Sequence, residues 1–120
     1  MKRKKVLIAD DDPDIVEAIE IILLEEGYEV QSTVDGTTMD SLNGPLPDVL
    51  LLDIRMSGIS GIDICRYLKH QELTKNIPII MISANYDGDV LSRKAGADDF
   101  LAKPFSYKDL IGKVKKYAAI

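Results

Sequence analysis

Three carboxylates, a serine hydroxyl and a lysine stand at the ends of short apolar runs in this chain. Asp10 and Asp11 follow residues 6–9, Asp53 follows 49–52, Ser83 follows 79–82 and Lys103 follows 99–102. Gathered in one place, these groups suit a particular chemistry. Crowded carboxylates raise each other's pKa values unless a cation sits between them. A small set of oxygen-only ligands suits Mg²⁺, which keeps several waters and favours a phosphate oxygen as a further ligand. Lys103 adds a positive charge of the kind that holds a phosphoryl group, and Ser83 can donate a hydrogen bond to that group. A carboxylate nucleophile, a metal and a lysine form a minimal phosphoryl-transfer site: the protein positions the group and neutralises its charge.

The intervening segments say how residues so far apart in sequence could meet. Residues 6–9, 49–52 and 79–82 are apolar on both faces, as in strands buried inside a parallel sheet; 29–33 and 99–102 supply two further extended runs. Asp12 offers an N-cap oxygen and Pro13 fits the first helical position, opening a helix through Ile15, Ile19, Ile22 and Leu23 that Gly27 stops. A weaker helix is expected over 37–42, and another runs through Ile64, Cys65 and Leu68. Asp87 is expected to cap a fourth helix that stops near Gly96, and Ser106 opens a last one through Leu110, Ile111 and Val114, with Asp109 as its capping-box partner. Strict alternation of strands and helices predicts an α/β fold with a parallel sheet and helices on both faces. In such a sheet the loops after the strands gather along one edge, where ligands bind.

Length and charge narrow the function classes. A chain of 120 residues has room for one domain, and 1–120 is read as that domain. The net charge of −5 argues against non-specific nucleic-acid binding, which needs a cationic surface. One cysteine, Cys65, excludes an internal disulfide or a multi-cysteine zinc site, and one histidine, His70, excludes a His-cluster site. Only four apolar residues separate the basic start from the aspartates, too few for a signal core, and no run approaches the ~18 needed to span a bilayer. A cytoplasmic chain without membrane contact is the expectation.

Ile8-Ala-Asp-Asp-Asp-Pro13, Leu51-Leu-Asp-Ile-Arg-Met56 with Gly58 and Gly61, Ile82-Ser-Ala84 and Phe100-Leu-Ala-Lys-Pro-Phe105 together resemble the receiver domain of bacterial two-component response regulators. Each motif alone is common; their order at successive strand ends is specific. The resemblance covers nearly the whole chain and implies a flavodoxin-like (βα)5 doubly wound sandwich, its five-stranded parallel sheet in the order 2-1-3-4-5.

The resemblance also implies roles. Asp53 matches the phosphoacceptor, an aspartate that takes a phosphoryl group from a histidine kinase or histidine phosphotransfer protein. Asp11, Asp53 and the backbone carbonyl of Arg55 match the direct Mg²⁺ ligands, with Asp10 acting largely through water. Lys103 matches the lysine that pairs with the phosphorylated aspartate, and Ser83 and Phe100 match the hydroxyl and aromatic switch positions. Phosphorylation is then expected to alter the surface of the fourth helix, fifth strand and fifth helix, residues 87–118. That change would control a downstream effector or output domain, in a monomer or a phosphorylation-dependent dimer. The implied domain is a signalling module that assists its own phosphorylation and dephosphorylation.

Some positions depart from the common pattern. Ser57 stands where many receivers have proline, and Ser83 replaces the more frequent threonine. Arg55 and Asn85 are expected to flank the site and set the lifetime of the phosphorylated state by controlling water access. A Mg²⁺-dependent aspartyl-phosphate phosphatase would need a second aspartate where Arg55 stands, and a flavodoxin-like electron carrier would need a glycine- and hydroxyl-rich loop in place of Asp10-Asp-Asp-Pro13. A receiver belonging to a larger DNA-binding regulator or hybrid kinase is compatible with every residue above.

Overall fold

Five of the apolar and extended runs pair into one sheet in the computed structural model, which describes residues 3–33, 46–56 and 59–119. Along the chain the elements are β1 (Lys5–Ala9), α1 (Pro13–Glu25), β2 (Glu29–Thr33), β3 (Val49–Asp53), β4 (Arg55–Met56), β5 (Ile59–Ser60), α2 (Gly61–Lys69), β6 (Ile79–Ser83), α3 (Gly88–Lys94), β7 (Asp99–Ala102) and α4 (Tyr107–Tyr117). The sheet is parallel throughout, in the order β2-β1-β3-β6-β7. With the two-residue antiparallel pair β4-β5 set aside, this is the expected succession 2-1-3-4-5. The helix expected over 37–42, and Ser57 and Gly58, lie outside the described residues.

Local chemistry starts and stops most helices as expected. Asp12 accepts hydrogen bonds from the backbone N–H groups of Asp14 and Ile15 at 3.0 and 3.4 Å, with Pro13 in the first turn. Gly27, at φ 95°, takes the left-handed conformation that ends α1. Ser60 and Ser106 cap α2 and α4 in the same way, accepting from Ile62 and Asp109. Asp87 corrects the expectation. It holds the N-cap position of α3 but makes no side-chain cap bond. Its ψ of 3° departs from the extended backbone of the other three caps, the conformation that aims a capping side chain at the first N–H groups.

The strand period of two sorts the core into two layers. Val6, Ile8, Val49, Leu51, Ile80, Ile82 and Leu101 pack with Val16, Ile19 and Leu23 of α1 and Leu110 and Val114 of α4. Leu7, Ala9, Leu50, Leu52, Ile79 and Met81 pack on the other side with Ile64, Cys65 and Leu68 of α2. Tyr28 pins the first layer: its buried hydroxyl donates to the Ala118 carbonyl at 2.8 Å, tying the start of β2 to the end of α4. Among the described residues no helix is long and apolar enough to cross a membrane.

Gly112 sits inside α4 with nothing within 4 Å of where a Cβ would stand. A glycine in a helix interior costs about 0.5–1 kcal/mol relative to alanine. Gly112→Ala is therefore expected to raise stability by about that amount in chemical denaturation; a lower midpoint would contradict the open surroundings of this position.

Candidate functional site

Parallel strands end together, and the polar residues that close them converge at that edge. Asp10 directly follows β1, where its N–H donates to the Thr33 carbonyl at 3.2 Å. Asp53 is the last residue of β3, beside β1 in the sheet. Lys103 follows β7 and is held by its N–H to the Ser83 carbonyl at 2.9 Å. By alternation Asp10 continues the Val6 and Ile8 face, Asp53 that of Val49 and Leu51, and Lys103 that of Leu101, so all three share one layer.

The side chains meet there. Carboxylate oxygens of Asp10, Asp11 and Asp53 lie within 4.8 Å of one another. The Lys103 ammonium bridges two of them, 3.0 Å from Asp10 Oδ2 and 3.5 Å from Asp53 Oδ2. Asp10 is fully buried and Asp53 nearly so. Their other oxygens accept backbone N–H groups, Asp10 Oδ1 from Asp12 at 2.9 Å and Asp53 Oδ1 from Arg55 at 3.3 Å, which fixes both rotamers.

Burial and the neighbouring Asp10 charge push the Asp53 carboxyl up to about 6, against the pull of Lys103 and the Arg55 N–H. For Lys103, burial disfavours the ammonium, but the bonds and charges of Asp10 and Asp53 outweigh it and raise its pKa, so it stays charged. One ammonium shared between the buried Asp10 and Asp53 does not fully offset them, and a divalent cation would. The all-oxygen donor set, with the Asp10 and Asp53 rotamers already fixed, fits Mg²⁺.

Ser83 and Phe100 fall on the opposite face, in register with Met81 and the second layer. Ser83 is buried and its hydroxyl accepts the Asn85 N–H at 3.0 Å. Phe100 is half-buried against that layer. Arg55 and Asn85 both line an open groove of about 460 Å³, with Ile54, Met56, Ile59, Ile62 and Leu91.

Gly61, noted in the sequence only as a glycine of the motif after Asp53, is a positioning residue. A Cβ there would stand 2.0 Å from the Asp53 carbonyl oxygen, and the Gly61 N–H donates to the Ile54 carbonyl at 2.7 Å. The start of α2 thus presses on the backbone that carries Asp53. Only a residue without a side chain permits that approach.

The raised carboxyl makes a prediction for metal-free protein. A folded-state pKa above the unfolded value means that ionised Asp53 opposes folding, fully above about pH 6 and no longer below the unfolded value near 4. Asp53→Asn is expected to be more stable than the parent by about 1–3 kcal/mol at pH 7 in chelated buffer, with the gap closing towards pH 4. Denaturant melts across that range check it; a gap that widens on acidification would refute the assignment.

Residues 6–115 match the response regulator receiver domain family. The chain is 36% identical over 116 residues to the DNA-binding response regulator MtrA of Mycolicibacterium smegmatis, covering 94% of this chain and 50% of that protein. It is 33% identical over 115 residues to the phosphate regulon transcriptional regulatory protein PhoB of Escherichia coli, covering 93% and 50%. The chain thus spans about half the length of these curated relatives. A crystal structure of a response regulator from Chloroflexus aurantiacus superposes with a TM-score of 0.92 at 34% identity, covering 99% of this chain and 100% of that one. The receiver domain of the sensor histidine kinase PA1611 from Pseudomonas aeruginosa, with a magnesium ion coordinated in its active-site cleft, gives 0.88 at 30% identity, covering 99% and 100%.

Proposed function

The chain belongs to the response regulator receiver domain family, and from that premise we propose that Asp53 is its phosphoacceptor, supplied by a histidine kinase or histidine phosphotransfer protein. The observation that carries this reading is the meeting of three carboxylates and one lysine at the ends of β1, β3 and β7. A carboxylate oxygen of Asp53 attacks phosphorus and forms the O–P bond of an acyl phosphate. The N–P bond of the donor breaks, and its electron pair returns to the imidazole ring. Fixed rotamers at Asp10 and Asp53 prepay the positioning that this in-line displacement requires.

Asp10, Asp11, Asp53 and the Arg55 carbonyl would hold Mg²⁺, which supplies positive charge to the phosphoryl oxygens. Lys103, paired already with Asp53, is placed to follow the new phosphoryl group as its counter-charge. The Ser83 hydroxyl accepts its bond from Asn85, so its own proton is left to donate to a phosphoryl oxygen. A change at Ser83 and at the Phe100 ring would carry the signal to the surface of α3, β7 and α4. Arg55 and Asn85, flanking one groove beside the site, would set the lifetime of the acyl phosphate by gating water.

Receiver domains are signalling domains, and we take residues 1–120 as one such unit acting on its own aspartate rather than on a separate substrate. Its partners are then the phosphodonor and a downstream effector or output domain, as a monomer or a phosphorylation-dependent dimer, in the cytoplasm and without direct contact to nucleic acid or membrane. A second reading is compatible with relatives twice as long and with the receiver of a sensor histidine kinase: the chain is the receiver part of a larger DNA-binding regulator or hybrid kinase.

Incubation with a small acyl phosphate and Mg²⁺, followed by intact-mass measurement, tests the mechanism. One phosphoryl group is expected, absent in Asp53→Asn and absent when the metal is chelated; incorporation that survives both controls would sink it. In the same assay Arg55→Ala is expected to change the rate of phosphoryl loss, and an unchanged rate would remove Arg55 from the gate.

A further inference from the structure

The Phe100 ring occupies the space that a side chain at position 88 would need. A Cβ built on Gly88 would lie 2.8 Å from Phe100 Cε1, 3.0 Å from Cζ and 3.1 Å from Ser83 Cβ. Ring, hydroxyl-bearing residue and the first turn of α3 therefore meet about one point. Gly88 is not among the glycines with positive φ, so backbone conformation does not demand glycine here. Space does.

The rest of α3 shows why this contact matters. Where α1 keys into the core with Val16, Ile19 and Leu23, α3 faces it with Gly88 and Ser92, followed by Ala95 at its end. Ser92 lies one turn from Gly88, and its buried Oγ has no hydrogen-bond partner; Asp87 supplies no side-chain cap. A seven-residue helix that has no side-chain bond at its N-cap, buries no large side chain and leaves a buried hydroxyl unsatisfied is weakly anchored at its start. The Phe100 ring is the large apolar group that meets its first turn.

We propose that Gly88 is the positioning residue for the Phe100 ring: its missing side chain is the seat that holds the ring against Ser83 and couples both to α3. Any side chain at 88 drives the ring outward, because the ring is the end of a rotatable side chain whereas Ser83 Cβ is fixed to β6. Asp10, Asp53 and Lys103 belong to the other layer of the sheet, so unseating the ring leaves the carboxylate site intact. The seat stands on geometry alone; its part in signalling rests on the proposed phosphorylation of Asp53.

The chain has two phenylalanines, so protein labelled with ¹³C in the phenylalanine rings gives two ring systems, assigned with Phe105→Leu. In the parent the Phe100 signals are expected to resist a soluble paramagnetic agent. In Gly88→Ala they should broaden as an exposed ring does, while uptake of one phosphoryl group from acyl phosphate is retained. On phosphorylation the Phe100 signals shift in the parent and stay put in Gly88→Ala. Gly88→Ala should also lower the unfolding midpoint, and lower it less in a Phe100→Ala background, where the ring is gone and only the contact with Ser83 Cβ remains. A Phe100 ring that stays protected in Gly88→Ala, or a midpoint lowered equally in both backgrounds, overturns the proposal. If Gly88→Ala does not fold, a Gly88→Ala/Phe100→Ala double variant that also fails overturns it, and one that folds supports it. A parent that takes up no phosphoryl group counts against the role of Asp53 instead, and leaves the ring result readable.

Discussion

The bridge that Lys103 makes between Asp10 and Asp53 is the interaction on which the site depends. It joins the ends of three different strands, and it sits where buried like charges would otherwise drive the β1 and β3 ends apart. The bridge is incomplete compensation. Asp53 remains hard to ionise because burial and Asp10 outweigh the single ammonium beside it. A buried site with spare negative charge is one that a divalent ion would stabilise. The feature that weakens the metal-free fold is thus the feature that suits it to its chemistry.

The pleat of the sheet divides the residues at its edge between two layers. Asp10, Asp53 and Lys103 continue the strand face that packs on α1 and α4, whereas Ser83 and Phe100 continue the face beneath α3. Ser83 joins the two, since its carbonyl receives the Lys103 N–H while its Cβ lies against the Gly88 seat. The carboxylate cluster is thereby linked to the other layer through one backbone hydrogen bond and the Ser83 residue itself. Further out, Asp99 ties β7 to α4 through Lys113 at 2.7 Å and the Tyr117 hydroxyl at 3.0 Å, so a displaced β7 side chain acts on a connected surface.

Much of this was readable before any coordinates. Apolar runs that must be buried on both faces, each closed by a polar residue, located Asp10, Asp53, Ser83 and Lys103 because a parallel sheet brings its strand ends together. The caps of α1 and α4 were legible because Asp12 and Ser106 act on neighbours two or three residues away. Asp87 was misread for a definite reason: residue type cannot report the backbone angles that aim a capping carboxylate. Gly61 and Gly88 were visible as glycines but not as contacts, since what forbids a side chain at each is backbone or ring brought from elsewhere in the fold. The β4-β5 pair is too short for any pattern to announce.

The central claim is that the three carboxylates form a divalent-cation site. Calorimetric titration of the chain with Mg²⁺ tests it most directly. One ion per chain should bind, with affinity lowered in Asp11→Asn and in Asp53→Asn. Binding that is absent in the parent, or undiminished in both variants, would contradict the account.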